Sequence, residues 1–477
     1  MGKLKLFIDN FLIFGLGSII NKLIPFFMLP VVTRLMPSSK YFGLSDLTQS
    51  LVTFASAFAI MGMYDASFRL FFDKKEEKFQ KAVCSTALLY VIFNSFCVFI
   101  LLLLATDYIT VLFFGSNEYK ILLYFAALSV FIGATNSILM IPSRVQNKRI
   151  IFLLVNLVTS VVSYSVSVFL LLQGYYLIAL PIAALFSALT TGISFYAINR
   201  KWFDYKLFDF VILKDLLSIG LPIMPIIFIY WILSSIDRIM IVHFIGEEAA
   251  GVYAAAAKIA SVSQLIYMAF AGGWQYFAFS TMNEENQVKN NSLVFEYLGI
   301  LVFMTTGFVC ALSHWVISFF YPNSYLYGYI VVPYLFISPL ILMLYQVIGN
   351  QFLVIKKTWP SALIVICGAC VNILCNYFLI PILGIEGAGI ATLAGYMVAL
   401  FVCVIVLIKM KLLELSQKFS IAVLLFAANS CSWYVYAKEN LVMGIVIAVC
   451  FFIAYILLYR KEISVVLKNI KNYNQCQ

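Results

Sequence analysis

Residues 82–105 read AVCSTALLYVIFNSFCVFILLLLA, a run of 24 residues without a charged side chain. An α-helix rises 1.5 Å per residue, so about 20 apolar residues cross the hydrocarbon core of a bilayer. A basic segment precedes the run and contains Lys74, Lys75, Lys78 and Lys81. The stretch therefore predicts a transmembrane helix that begins beside a positively charged loop.

The whole chain has the same character. Of its 477 residues, 64% are hydrophobic and 11% are charged, and the mean hydropathy is +1.01. Soluble domains carry about 25% charged residues, so a soluble protein is excluded. We predict an all-α membrane protein with about fourteen transmembrane helices. The predicted spans lie near residues 7–33, 43–66, 82–105, 121–142, 150–172, 177–198, 215–237, 250–281, 292–320, 329–355, 360–381, 387–408, 419–437 and 440–459.

The distribution of lysine and arginine predicts the orientation, because short cytoplasmic loops are enriched in these residues. Fourteen spans place both termini on one face, and that face holds 24 of the 31 basic residues. The opposite face holds only Arg34, Lys40, Lys120 and Lys438. We therefore expect a multi-pass membrane protein with both termini on the cytoplasmic side. The net charge of +10 is explained as an orientation signal and implies no nucleic-acid partner.

Enzymatic and cofactor motifs are missing from the sequence. The longest outer connection, Thr106 to Lys120, is too short for a catalytic domain, and no phosphate-binding G-x-x-x-x-G-K-[ST] motif is present. Cys367 and Cys370 have CxxC spacing but lie in an apolar span, which favours packing over metal binding. We expect no enzyme activity and no cofactor. The first apolar stretch is too long for a signal-peptide core and is expected to remain as a helix.

Polar and helix-breaking residues recur in the same order about 200 positions apart, which indicates an internal repeat. The repeat predicts an N-terminal six-helix lobe at residues 1–200, a C-terminal six-helix lobe at 201–408, and two additional helices with a cytoplasmic tail at 409–477. Both lobes begin on the cytoplasmic side, as in parallel repeats of transporters. The matching sets are Ser18, Lys22 and Pro25 with Ser218, Pro222 and Pro225, TRLM at 33–36 with DRIM at 237–240, and Lys148-Arg149 with Lys356-Lys357.

Three segments resemble one transporter family. They are FGLGSIINKLIPFFMLPVVTRLMPSSKYFGLSDL (Phe14 to Leu47), SSIDRIMIVHFIGEEAAGVYAAAAKIA (Ser234 to Ala260) and VNILCNYFLIPILGIEGAGIATLAGY (Val371 to Tyr396). The first is similar to the opening of polysaccharide and O-antigen flippases, the Wzx type of the MOP exporter superfamily. The second and third are similar to helices seven and eight and helices eleven and twelve of that family.

The resemblance implies a flippase that moves a polyprenyl-pyrophosphate-linked oligosaccharide from the cytoplasmic to the outer leaflet of the bacterial inner membrane. The cargo would be a repeat unit of O-antigen, capsule or exopolysaccharide. Transport would use alternating access, in which two lobes move around a cationic cavity while the lipid tail stays in the bilayer. Glycan polymerase and chain-length proteins are further candidate partners.

Lys22 is the first candidate for a substrate-binding cation. An ionisable group within a span costs about 2.5–3.5 kcal/mol on insertion scales and is a functional candidate by default. Lys22 lies beside Asn21 and one turn from Ser18 and Pro25, which together form a polar face. The alternative is a structural lysine paired with a carboxylate such as Asp46.

Lys258 is the second candidate and lies in the alanine-rich segment GVYAAAAKIA. Small neighbours leave room for a cavity or for close helix packing. Snorkelling to the outer interface is the alternative. Flippases related to the lipid II flippase carry cations on helices one and eight, which supports Lys22 and Lys258 together.

Arg34 and Arg238 occupy matching places near the predicted outer ends of helices one and seven. Arginine binds phosphate in a bidentate manner, yet Asp237 adjoins Arg238, so an interfacial anchor or an ion pair between the lobes is equally compatible. Asp46 and Asp65 lie at opposite ends of the second span. Together with Asp237 they are candidates for charge balance or ion coupling.

Asn372 and Asn376 lie one turn apart on the predicted eleventh helix and match paired polar positions of the family. They line a polar cavity or form interhelical hydrogen bonds.

Two other classes of function remain open from the sequence. One is a MATE-like multidrug or cation antiporter, which is expected to present carboxylates to cationic drugs. The other is a membrane polymerase or a non-flipping scaffold of glycan assembly. The predicted intramembrane cations argue against the first, and the short outer loops argue against a polymerase.

Overall fold

The computed structural model describes residues 24–280, 284–355, 359–438 and 440–462. In these ranges the regular secondary structure is entirely helical. The first eleven helices are α1 (Ile24–Leu35), α2 (Ser39–Ile60), α3 (Met63–Leu70), α4 (Glu77–Leu104), α5 (Thr106–Phe114), α6 (Lys120–Leu139), α7 (Ile141–Val145), α8 (Arg149–Leu172), α9 (Ala179–Asn199), α10 (Phe210–Gly220) and α11 (Met224–Ile245). The others are α12 (Glu247–Ala260), α13 (Ser263–Ser280), α14 (Gln287–Phe320), α15 (Val332–Val354), α16 (Trp359–Leu383), α17 (Ile385–Lys409), α18 (Gln417–Ser432) and α19 (Leu441–Leu458).

Length and hydropathy confirm the predicted fold class. Among the described residues, eleven helical segments are long and apolar enough to cross a membrane, and the bent pair α2–α3 makes twelve. The predicted first span is described only from Ile24, where α1 begins. The predicted span at 250–281 is two helices, α12 and α13, because the chain turns at Ser261 and Val262.

The connection predicted at residues 106–120 contains a short helix. Helix α5 occupies Thr106–Phe114 and ends where Gly115 adopts a φ of +75°. Phe113 and Phe114 are buried, which means that one face of α5 packs into the protein. The apolar residues of this segment therefore form a short packed helix and not an open loop.

A 46° bend separates α2 from α3. Met61 and Gly62 both adopt left-handed backbone conformations there, with φ of 49° and 69°. A bend of this kind frees backbone carbonyls at the end of the first helix. Asn94 of α4 satisfies two of them, because its Nδ2 donates to the carbonyls of Phe58 at 2.7 Å and Ala59 at 3.0 Å.

The described residues pack into two compact units. The first contains the described residues up to Ala255 together with Tyr377–Ile385, and the second contains Ala256–Asn376 and the described residues from Glu386 onward. The lobe boundaries predicted at 200 and 408 concern a sequence repeat and stay a prediction.

Each unit has its own apolar core. In the first unit, α4 and α6 contribute residues such as Val83, Val91, Val130 and Ile138. In the second unit, residues of α14 and α17 pack around α15, where Leu344 is buried together with most of its helix. Helices of both units are therefore held by side-chain packing as well as by the apolar membrane environment.

Within the second unit, polar contacts attach the residues on either side of α18 to α14 and α17. The backbone N–H and the hydroxyl of Ser416 both donate to the buried carboxylate of Glu296 on α14, the hydroxyl at 2.8 Å. Beyond α18, the Lys438 ammonium lies 2.9 and 3.0 Å from the two carboxylate oxygens of Glu386 on α17. The two C-terminal helices are thus fixed at both ends of α18.

Candidate functional site

Helices α2 and α11 of the first unit contact each other along most of their length. We call this contact the α2–α11 seam. A carboxylate oxygen of Asp46 lies 2.6 Å from Nε of Arg238, and the indole N–H of Trp231 donates to the carbonyl of Ser50 at 3.0 Å. Further along, the rings of Phe54 and Trp231 have centroids 4.5 Å apart. Residue numbers rise on α2 as they fall on α11, so the helices are antiparallel.

A charged cluster lies within this seam. The side chain of Arg238 is 16% exposed and that of Asp46 is 7% exposed. The adjacent carboxylate of Asp237 accepts hydrogen bonds from the Arg238 backbone N–H at 2.9 Å and from the hydroxyl of Tyr253. One guanidinium and two carboxylates therefore share a largely desolvated region, where each charge depends on its partners.

The predicted position of Arg238 needs correction. Helix α11 continues to Ile245, so Arg238 lies about two turns inside the helix and not at its end. The guanidinium is engaged by Asp46 and also donates to the carbonyl of Ser234. An arginine held in this way has fewer donors left for a phosphate, and a phosphate bound to it would lie close to the Asp46 carboxylate.

A second polar group lies at the end of the seam where α2 begins. The hydroxyl of Ser38 donates to the Glu248 carboxylate at 3.1 Å, and the hydroxyl of Ser39 donates to the Glu248 carbonyl at 3.0 Å. The Tyr119 hydroxyl donates to Glu247 at 2.9 Å. The serine contacts fasten the first turn of α12 to the start of α2, and the tyrosine contact fastens it to the turn before α6.

The other predicted charged site residues have different surroundings. Arg34 is exposed in the last turn of α1, and Lys258 is exposed in the last turn of α12, although the alanines before it are buried. Asp65 is exposed in the first turn of α3, beyond the bend. Lys22 and Asn21 lie outside the described residues.

Asn372 and Asn376 of α16 are fully buried in the second unit. The Asn372 amide donates to the hydroxyl of Thr392 on α17 at 3.4 Å. Neither amide atom of Asn376 has a hydrogen-bond partner among the residues that the structure describes. Since buried polar groups are normally bonded, Asn376 marks a position where a small polar ligand or water would be stabilised.

Sequence reasoning missed several polar contacts. Tyr253, Trp231 and the Glu386–Lys438 pair were not predicted as interacting residues. Tyr334 donates to the same Glu386 carboxylate at 3.1 Å. Glu386 could have been noticed as an ionisable residue in an apolar stretch, whereas its partners depend on the tertiary fold.

A protein-family model described as "Polysaccharide biosynthesis protein" matches residues 7–282. The chain belongs to this family. The matched region is more than half of the chain and includes the whole α2–α11 seam, and it confirms the family expected from the sequence. Among curated protein sequences, none matches this member of the family.

Solved structures show which fold this polysaccharide biosynthesis protein has. It is similar to the lipid II flippase MurJ in an inward closed conformation, with a TM-score of 0.72, 15% identity, and coverage of 94% of this chain and 99% of that chain. It is also similar to an inward-facing multidrug resistance MATE transporter of the MOP superfamily, with a TM-score of 0.60, 14% identity, and coverage of 85% and 96%. An outward-facing MATE transporter gives 0.54 at 17% identity, covering 89% and 95%. The chain therefore has the fold of MOP superfamily transporters.

Proposed function

We propose that this protein is a flippase that moves a polyprenyl-pyrophosphate-linked oligosaccharide across the bacterial inner membrane. The observation that carries the proposal is the family match over residues 7–282, on a chain whose fold is that of lipid and drug transporters. A polysaccharide pathway needs its lipid-linked precursors on the far side of the membrane. A multi-pass protein without a large extramembrane domain suits that step.

Fixed positive charges support an anionic cargo. A pyrophosphate headgroup brings about two negative charges into a region of low dielectric, where opposite charges limit the desolvation penalty. Lys22, Lys258 and Arg34 remain the proposed headgroup ligands in the cavity predicted between the two sequence lobes. Arg238 would join them through the guanidinium N–H groups that Asp46 and Ser234 do not engage.

The membrane potential supplies a driving force in the required direction. An inside-negative potential favours outward movement of negative charge by about 2.3 kcal/mol per charge per 100 mV. Two uncompensated charges would gain roughly 4–5 kcal/mol. Export could therefore proceed without nucleotide hydrolysis, and ion coupling through Asp46, Asp65 or Asp237 would alter this driving force.

Reconstitution into liposomes tests the function directly. A fluorescent polyprenyl-pyrophosphate oligosaccharide is incorporated, and headgroup accessibility on the outside is followed with a membrane-impermeant quencher. We expect the protein to accelerate exchange of the labelled headgroup between leaflets. Transport of organic cations without movement of the labelled lipid would favour the MATE-like antiporter, and movement of neither would favour a scaffold.

Substitution of the proposed cations tests the site. Lys22→Ala and Lys258→Ala should insert normally and abolish lipid movement. Lys289→Ala is the matched control, because Lys289 is an exposed lysine in the first turn of α14. Normal movement in both cavity variants would contradict the site assignment and leave the proposed function intact.

A further inference from the structure

Glycine residues allow unusually close backbone contact just beyond both ends of the α2–α11 seam, where α2 meets α12 and where the bend after α2 meets α10. At the end where α2 begins, a methyl group on Gly43 would lie 2.5 Å from the backbone nitrogen of Gly251 on α12. A methyl group on Gly251 would overlap the carbonyl oxygen of Ser39. Both obstacles are backbone atoms, which cannot rotate away as a side chain can. This end of the seam closes only because neither position carries a side chain.

The opposite end has a similar contact. A methyl group on Gly220, the last residue of α10, would lie 2.5 Å from the carbonyl oxygen of Met61. Gly62 beside it would meet the backbone of Gly220 in the same way. This contact coincides with the bend between α2 and α3, where left-handed residues interrupt the helix. Both ends of the seam are therefore closed in this structure by backbone packing.

The middle of the seam differs from its ends. The Asp46–Arg238 ion pair and the Trp231 hydrogen bond to Ser50 are made by side chains or by a side chain and a carbonyl. Such contacts stretch or exchange partners as helices separate, whereas close-packed backbones are either in contact or apart. We therefore expect each of the two glycine contacts to be either fully formed or fully broken.

We infer that Gly43–Gly251 and Gly62–Gly220 are two gates that flank the α2–α11 seam, and that each separates when the protein opens towards its own face. The predicted topology assigns Gly43–Gly251 to the outer face and Gly62–Gly220 to the cytoplasmic face. This inference rests on the proposed transport function for its purpose. Its physical content, that each glycine contact controls access from one side, can be measured without any transport.

A buried reporter in the middle of the seam provides that measurement. Ser50 is buried, and its carbonyl accepts the Trp231 hydrogen bond. Ser50→Cys is introduced, and its reaction with a membrane-impermeant maleimide is followed by peptide mass spectrometry, which distinguishes it from native cysteines. Spheroplasts expose the outer face and inverted vesicles expose the cytoplasmic face.

Three glycine-to-alanine variants, each of which adds one methyl group, are compared in the Ser50→Cys protein. Gly251→Ala should raise labelling about tenfold from the outer face, and Gly220→Ala should raise it about tenfold from the cytoplasmic face, since an overpacked closure favours the separated state. Gly133→Ala is the matched control, because a methyl group there meets nothing within 4 Å. It should leave labelling unchanged.

Either of two results with the glycine variants would overturn the inference. One is equal labelling in all three variants when each is produced at parental level, and the other is enhanced labelling from the same face in both gate variants.

If Gly251→Ala fails to insert, Ser38→Cys with Glu248→Cys replaces it, since those side chains are 3.1 Å apart. A short bifunctional thiol reagent should then join the two cysteines and suppress outer labelling of Ser50→Cys. Unsuppressed labelling in the cross-linked protein would also contradict the inference. If each gate variant raises labelling from its expected face but the protein moves no lipid, the result would contradict the proposed flippase function and leave the gates supported.

Discussion

Asp46 of α2 and Arg238 of α11 form an ion pair of 2.6 Å, although they belong to different halves of the predicted internal repeat. Their side chains are largely buried, and Asp237 adds a second carboxylate beside the guanidinium. The pair therefore fixes the register of two antiparallel helices as well as balancing charge. In a transporter, such a pair would have to be preserved or exchanged during each cycle.

A double-mutant cycle measures the strength of this pair. Asp46→Asn and Arg238→Gln should each lower the thermal unfolding temperature, because removing one partner of a buried ion pair costs about 3–5 kcal/mol. The double variant should lose clearly less than the sum of the single losses, because each single loss contains the same Asp46–Arg238 interaction. Unfolding in detergent, followed by intrinsic fluorescence, gives the four temperatures. Additive losses would mean that the two residues do not interact.

Asn376→Leu distinguishes a functional amide from a structural one. Because the Asn376 amide has no partner among the described residues, leucine should leave the unfolding temperature unchanged or raise it. If Asn376 serves transport, lipid movement should nevertheless be lost.

The matched control for this substitution is Asn199→Leu. Asn199 is equally buried but accepts a hydrogen bond from Ser143 at 2.9 Å and donates to the carbonyl of Leu139 at 2.8 Å. It should destabilise the protein by about 1–3 kcal/mol, the cost of leaving buried partners unsatisfied. Equal destabilisation by both substitutions would show that Asn376 has a structural role.

Lys438→Met tests the attachment of the C-terminal helices. The substitution leaves the carboxylate of Glu386 buried with only the Tyr334 hydroxyl, so the unfolding temperature should fall. Glu386→Gln in the same protein should restore part of the loss. Tyr334→Phe should have a smaller effect, because it removes one hydrogen bond and no charge. A smaller loss in Lys438→Met than in Tyr334→Phe would contradict this order.

Acidification should weaken the contact between Lys418 and Glu462, which links the start of α18 to the segment after α19. The hydrogen bond from Lys418 holds the pKa of the Glu462 carboxyl below its usual range. A carboxyl with a lowered pKa stabilises the fold above its unfolded pKa, and this contribution disappears as the pH falls through the folded pKa. The pair is partly exposed, so its contribution should be at most about 1 kcal/mol. Glu462→Gln should lower the unfolding temperature slightly at pH 7 and by less at pH 3, and an equal effect at both would refute the assignment.

The sequence predicted the helical fold because membrane insertion is governed by local hydrophobicity. The run at 82–105 corresponds closely to α4, and the run at 150–172 to the apolar part of α8. Breaks inside apolar segments were missed for a related reason. The bend at Met61–Gly62 and the turn at Ser261 do not change the hydropathy of their segments, so a pattern based on apolar content continues through them.

The candidate site was less predictable. Charged residues could be identified as candidates one by one, since each is rare in an apolar span. Their partners depend on helix packing, and that is why Arg238 was grouped with substrate ligands although Asp46 occupies its guanidinium. Close glycine contacts such as Gly43–Gly251 could not be predicted from the composition, because the sequence does not distinguish a glycine at a helix crossing from a glycine elsewhere.

The length of α14 links the protein to the thickness of its membrane. At 34 residues the helix is about 51 Å long, whereas the hydrocarbon core of a bilayer is about 30 Å thick. A helix of this length must tilt or extend into the headgroup layer, and Glu296, which holds Ser416, is near its beginning. A change in lipid chain length would therefore change the inclination of α14 and act mechanically on the point where the C-terminal helices are fastened.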